Sequence, residues 1–77
     1  MESHEVRAML AAIDSEINIY ERLPGMVRAR LAERPDIALS AADRELFLQL
    51  VQEQADENLA GLRTLRQIAA RVPHAEA

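Results

Sequence analysis

Two histidines, three serines, an acidic cluster and a run of arginines are the residues of this 77-residue chain that could do chemistry. His4 and His74 stand near opposite ends and belong to no Glu-x-x-His or His-x-x-x-His pair. A metal site in a helical bundle needs such spacing to bring ligands onto one face, so both are expected to be solvated side chains. There is no cysteine, which excludes disulfides and thiolate ligation. Ser3, Ser15 and Ser40 have no neighbouring base in a nucleophile motif, and no glycine-rich loop is present to cradle a phosphate. The sequence therefore assigns no catalytic, cofactor-binding or metal-binding residue, implies no cofactor, and points away from an enzyme.

The charged groups admit two readings each. Glu53, Asp56 and Glu57 form an acidic patch, which is either a docking spot for a basic partner or a solvated face. Arg22, Arg28, Arg30 and Arg34 cluster in the middle of the chain. They could meet phosphate, or they are solvated and paired in part with Asp43 and Glu45. The net charge is −4, and the chain has one tyrosine and one phenylalanine, too few for a stacking platform. Nucleic acid is thus disfavoured as a partner, and a small nucleic-acid-binding regulator ranks third among the readings. All nine basic residues are arginine, a mark of genome composition rather than of function.

The elements that must position these residues are helices. Alanine occurs fourteen times, and leucine, glutamate, glutamine and arginine supply much of the rest. These side chains lose little freedom in a helix. Val6, Leu10, Ile13, Ile17 and Tyr20 are spaced four, three, four, three, and Val27 and Leu31 continue the phase beyond Pro24. Such a stripe packs on another helix. Glu2 and Glu5 lie near its start, where the helix dipole favours negative charge. Pro24-Gly25 interrupts it, so the spacing predicts a helix over about 4–33, either kinked near 24–25 or broken into two.

Arg34-Pro35-Asp36 opens a turn over about 34–39, because the residue before proline is pushed out of helical geometry. Ser40-Ala41-Ala42-Asp43 has the spacing of a capping box, and Asp36 is a rival cap. The last helix then begins at 36 or 40 and runs to about 72, where Pro73 stops it and a frayed tail, 73–77, follows. Leu48, Val51, Ala55, Asn58, Leu62, Leu65, Ala69 and Val72 form its heptad stripe, and Arg63, Arg66 and Arg71 suit the dipole at its end.

Folding the stripes together matches Val6 with Val72, Ile13 with Leu65, Ile17 with Leu62, Tyr20 with Asn58, Pro24 with Ala55 and Val27 with Val51. The fold class is all-α: a single helical domain, 1–77, built as an antiparallel, coiled-coil-like hairpin. A three-helix arrangement and half of a dimeric four-helix bundle both remain open. A chain this small buries only about 60% of its unfolded surface, and its core supplies no more than ~3–5 kcal/mol without help.

Several large apolar residues lie off the stripes, among them Met9, Ile19, Met26, Leu46, Phe47, Leu50, Leu59 and Ile68. Either they pack within the chain, against Ile37, Leu39 and Met26, or they meet another chain. No apolar run approaches the ~20 residues that span a bilayer, and the amino terminus is acidic, unlike a signal peptide. No membrane partner and a cytoplasmic location are expected.

The pattern Glu16…Tyr20-Glu21-Arg22-Leu23, then Asp36-Ile37-Ala38-Leu39, then Leu65-Arg66-Gln67-Ile68-Ala69, resembles the flagellar export chaperones for hook–filament junction proteins. The length and hairpin are also similar to the small co-chaperones of virulence type III secretion needles. The resemblance implies a cytoplasmic, non-catalytic chaperone or adaptor that shields an amphipathic helix of a secreted or assembling partner. It implies a partner-binding flank on the last helix at Leu46, Phe47, Leu50, Leu59 and Ile68, where a client helix would dock in a groove. The alternative is a structural module that self-associates through the same surface.

Overall fold

In a computed structural model, which describes residues 4–72, the chain forms two helices in antiparallel register. Helix α1 spans His4–Glu33 and helix α2 spans Ala41–Ala70. Each has 30 residues, about 45 Å at 1.5 Å per residue. The molecule measures 59 × 18 × 12 Å. Its radius of gyration is 17.8 Å, well above the ~11–12 Å of a compact chain of this length. Glu2, Ser3, Pro73, His74 and the tail expected over 73–77 lie outside the described residues.

Helix α1 is continuous through Pro24-Gly25, so the reading in which it breaks there does not hold. A proline inside a helix costs ~3 kcal/mol in lost hydrogen bonding and steric clash. Pro24 is half-buried among the seam residues, and Ala55, matched to it in the sequence register, is 0% exposed. Packing of the whole stripe on α2 holds the turn helical. Gly25 is exposed and carries no positive φ, so its backbone is ordinary helix.

The turn follows the sequence closely. The Ile37 amide donates to the Arg34 carbonyl at 3.1 Å, closing a turn with Pro35 at its second position. Ser40, at φ −68° and ψ 164°, caps α2: its Oγ accepts from the Asp43 amide at 3.0 Å. Asp36 is not the cap. Its carboxylate instead takes both arms of the Arg34 guanidinium, at 3.0 and 2.8 Å. Helix α2 closes two residues before 72, where the Arg71 amide turns to the Ile68 carbonyl at 3.1 Å and tightens the last turn.

Arg44 joins the turn to both helices. Its guanidinium donates to the carbonyls of Leu31 (3.3 Å), Arg34 (3.3 Å) and Ile37 (3.0 Å). Each of these carbonyls also accepts a backbone amide, from Arg34, Ile37 and Leu39 respectively, so the half-buried guanidinium is a second donor that ties the turn to α2 and sets a positive charge at the carboxyl end of α1.

The seam on α1 is the heptad stripe read from the sequence. Val6, Leu10, Ile13, Ile17, Tyr20, Pro24, Val27 and Leu31 are all half-buried, joined by Leu23. On α2 the stripe departs from the heptad. Leu48, Val51, Ala55, Asn58, Leu62 and Ala69 lie in it as expected. Leu65, however, is 54% exposed, and Val72 is 38% exposed. Leu59, read as surplus, is 7% exposed and is the largest side chain in the buried core, which otherwise holds Ala55 and Ala69. The cause is helical drift. A straight helix turns ~20° per heptad away from a strict seven-residue repeat. The inward positions of α2 instead recur at elevens: Leu48 with Leu59, Val51 with Leu62, and Asn58 with Ala69.

Candidate functional site

The two helices bury so little that the informative surface is what they leave out. Counting about 100° per residue from each seam, Met9, Ile19 and Met26 on α1 project to the same side as Phe47, Leu50, Leu65, Ile68 and Val72 on α2. Leu46 stands at the outer edge of that side. Each of these residues is 38–54% exposed. Two grooves on this side join the helices. Leu23, Met26, Val27, Arg30 and Leu31 line one of about 200 Å³ with Phe47. Glu16 and Tyr20 line the other, about 360 Å³, with Glu57, Asn58, Gly61, Leu62 and Leu65.

The opposite side is polar and internally paired. Arg63 meets Glu21 at 3.0 Å, and Arg66 meets Asp14 with both carboxylate oxygens. Nearer the turn, Arg28 shares a cleft with Glu45, Gln49, Gln52 and Glu53. Arg63 and Arg66 thus serve the neighbouring helix rather than the dipole of their own. The Arg66 hydrogen bond holds the Asp14 carboxyl below its usual range, reinforced by the nearby positive charge, while partial desolvation opposes both. The Arg34 hydrogen bond, with help from a backbone amide, does the same for Asp36.

Of the five partner-binding residues read from sequence, Leu46, Phe47, Leu50 and Ile68 are exposed at 52%, 45%, 53% and 50%. Leu59 is not available to a partner, because the seam takes it in. Leu65 replaces it on the apolar side, a change that follows from the eleven-residue spacing. Packing within the chain covers the segment around Phe47 only in part: Met26 lines one groove with Phe47, yet Leu46, Phe47 and Leu50 stay 45–53% exposed.

The charged clusters come apart. Asp56 and Glu53 are hydrogen-bonded by Gln52 and Gln49, each at 3.0 Å, on the polar side and outer edge of α2. Glu57 alone turns into the notch beside Tyr20. The arginines separate as well: Arg34 pairs with Asp36, Arg28 enters the polar cleft and Arg30 borders the apolar groove. Neither Asp43 nor Glu45 forms an ion pair with a described residue. His4 is exposed at the first residue of α1. Among the described residues no group of three or more histidines or carboxylates could hold a metal ion, and no helix is long and apolar enough to cross a membrane.

Comparison with protein-family models, with curated proteins and with solved structures found no match to this chain.

Proposed function

We propose that the chain is a non-catalytic protein-binding module, a small chaperone or adaptor whose apolar side receives an amphipathic helix of another protein. One observation carries the reading: the large exposed apolar side chains of both helices share one side, while the ion pairs that join the helices share the other. An amphipathic slab of this kind lacks one layer of a bundle. The chain exposes 5729 Å², against about 4,700 Å² for a compact globular chain of the same mass. The excess, about 1,000 Å², is close to the ~800 Å² that each partner contributes to a standard interface. A docked helix uses the helix-in-groove mode, reading Phe47 and Leu50 at one end and Leu65 and Ile68 at the other.

The same area favours a second reading, a self-associating bundle in which a copy covers the apolar side. Light scattering over a concentration series separates the two. A monomer whose apolar side binds a leucine-rich amphipathic peptide supports the adaptor. A stable dimer that ignores the peptide supports the bundle. Phe47→Asp and Leu50→Asp place a charge on this side, Phe47 beside the seam residues Val27 and Leu31 and Leu50 farther out, so Leu50→Asp is the cleaner of the two. Loss of peptide binding with helicity retained is expected, and binding unaffected by either change would sink the adaptor reading.

A further inference from the structure

We infer that the helix received by this face carries one basic side chain, an arginine for preference, between two apolar clusters, and that Glu16 and Glu57 hold it in the notch. This rests on the adaptor reading and specifies its partner. The apolar side is not uniform. Phe47 shares a groove with Leu23 and Met26, and Leu50 stands one turn along α2 on the same side. Leu65 and Ile68, also one turn apart, form the second apolar cluster. Between them lies the notch of about 360 Å³.

The notch is rich in acceptors. Glu16 from α1 and Glu57 from α2 both line it, and neither carboxylate has a hydrogen bond or ion pair with a described residue. The other acidic residues of this stretch of α2, Glu53 and Asp56, already have glutamine partners. Pro24 has no amide hydrogen, so the Tyr20 carbonyl, one turn earlier in the same helix, lacks its usual helical donor. Gly61 lines the mouth, and the space beside it is open, since a Cβ built there would meet nothing within 4 Å. A guanidinium presents five donors in a planar fork and suits two carboxylates from different helices better than a point charge does.

Charge also selects against a second copy. The notch lies near mid-length of the hairpin. In a two-fold dimer with full overlap, notch therefore meets notch whichever way the copies run. Four unpaired carboxylates would face one another, on two chains of net charge −4 each. A foreign helix escapes that repulsion. Measured along α2, the notch centre is ~16 Å from the Phe47–Leu50 cluster and ~11 Å from the Leu65–Ile68 cluster at 1.5 Å per residue. The partner's basic residue then stands about eleven residues from one apolar cluster and about seven from the other.

The test uses the full chain and synthetic helical peptides of about 25 residues, with leucines at those two spacings. Arginine, norleucine or glutamate occupies the central position, and affinity is read by calorimetry. The arginine peptide is expected to bind at least about tenfold more tightly than the glutamate peptide, with a gap that narrows in high salt. Glu16→Gln with Glu57→Gln is expected to close most of that gap while the norleucine peptide binds as before, which also reports that the double variant is folded. Equal affinity for the arginine and glutamate peptides overturns the proposal and leaves apolar docking standing. Failure of all three peptides to bind overturns both. A wild-type dimer at neutral pH that Phe47→Asp dissociates overturns the proposal in favour of the second copy.

Discussion

Arg66 reaches across the hairpin to Asp14, 52 positions away in sequence, and its guanidinium donates to both carboxylate oxygens at 2.5 and 3.2 Å. The pair fixes which turn of α1 faces which turn of α2. A slip of one heptad would move the carboxylate ~10 Å along the helix axis, beyond the reach of the guanidinium. The register matched from the two stripes, Tyr20 beside Asn58 and Ile17 beside Leu62, is the one in which this pair closes, and Tyr20, Asn58 and Leu62 line the same notch.

Acid should loosen the hairpin. Asp14 and Asp36 are both held below the usual carboxylate value of 3.8, each chiefly by an arginine hydrogen bond. A carboxyl with a lowered folded-state pKa binds its proton more readily in the unfolded chain. Its contribution is therefore present above about pH 4 and is lost as pH falls through the lowered value. Helicity followed by circular dichroism should decline below about pH 4. In Asp14→Asn the decline should be shallower, from a lower starting stability, and an unchanged acid limb would show that this pair has no part in it.

Arg44 should matter more than any arginine in a side-chain ion pair. Its guanidinium is the second donor to three carbonyls that already hold a backbone amide, and hydrogen bonds to charged groups contribute ~1.5–3 kcal/mol. Arg44→Ala should cost about that much in urea unfolding. Arg44→Lys keeps the charge without the planar fork and should recover only part of the loss. Full recovery by lysine would mean that charge at the carboxyl end of α1, not the fork, is what counts.

Leu59 and Leu65 test the spacing of the α2 seam. Leu59 is 7% exposed and Leu65 is 54% exposed. Leu59→Ala should cost ~2–3 kcal/mol, the low end of the range for buried leucines, because the core is thin. Leu65→Ala should change stability by less than ~0.5 kcal/mol. The reverse order in thermal melts would restore the uninterrupted heptad on α2.

Both glycines should be replaceable at a gain. Neither has a positive φ, and an added Cβ at Gly25 or Gly61 meets nothing within 4 Å. Alanine is ~0.8–1.0 kcal/mol more favourable than glycine in a helix interior. Gly25→Ala and Gly61→Ala should each raise the melting temperature. If Gly61 keeps the notch open for a partner, Gly61→Ala should also weaken the arginine peptide selectively, a penalty that Gly25→Ala should not share.

Much of the hairpin was legible in the sequence because its signals are local. The heptad on α1, the Arg34-Pro35-Asp36 turn and the Ser40 cap need only neighbouring residues to be read. What escaped depends on partners far away in sequence. Arg44 binds backbone carbonyls, and every residue has one, so no side-chain pattern marks the site. Leu59 and Leu65 exchange roles because small angular drift accumulates over several turns, and a strict seven-residue template cannot follow it. Pro24 looks like a break in isolation, and only the seam that continues past it shows why the helix persists. Four of the five residues assigned to a partner face are exposed, yet the notch between the apolar clusters was hidden. Its two carboxylates come from different helices, and in sequence Glu57 falls in one acidic group with Glu53 and Asp56, which take glutamine partners elsewhere on α2.

The shortest dimension of the molecule, 12 Å, is about the diameter of one helix with its side chains. No backbone amide can then lie more than one side-chain layer from water. Unfolding such a sheet of two helices uncovers little surface that was not already wet. Its denaturant slope and heat-capacity change should therefore be small for its length, and its melting broad. Cooperativity of the kind seen in globular domains requires a layer that water cannot reach, and among the described residues that layer consists of Ala55, Leu59 and Ala69 alone.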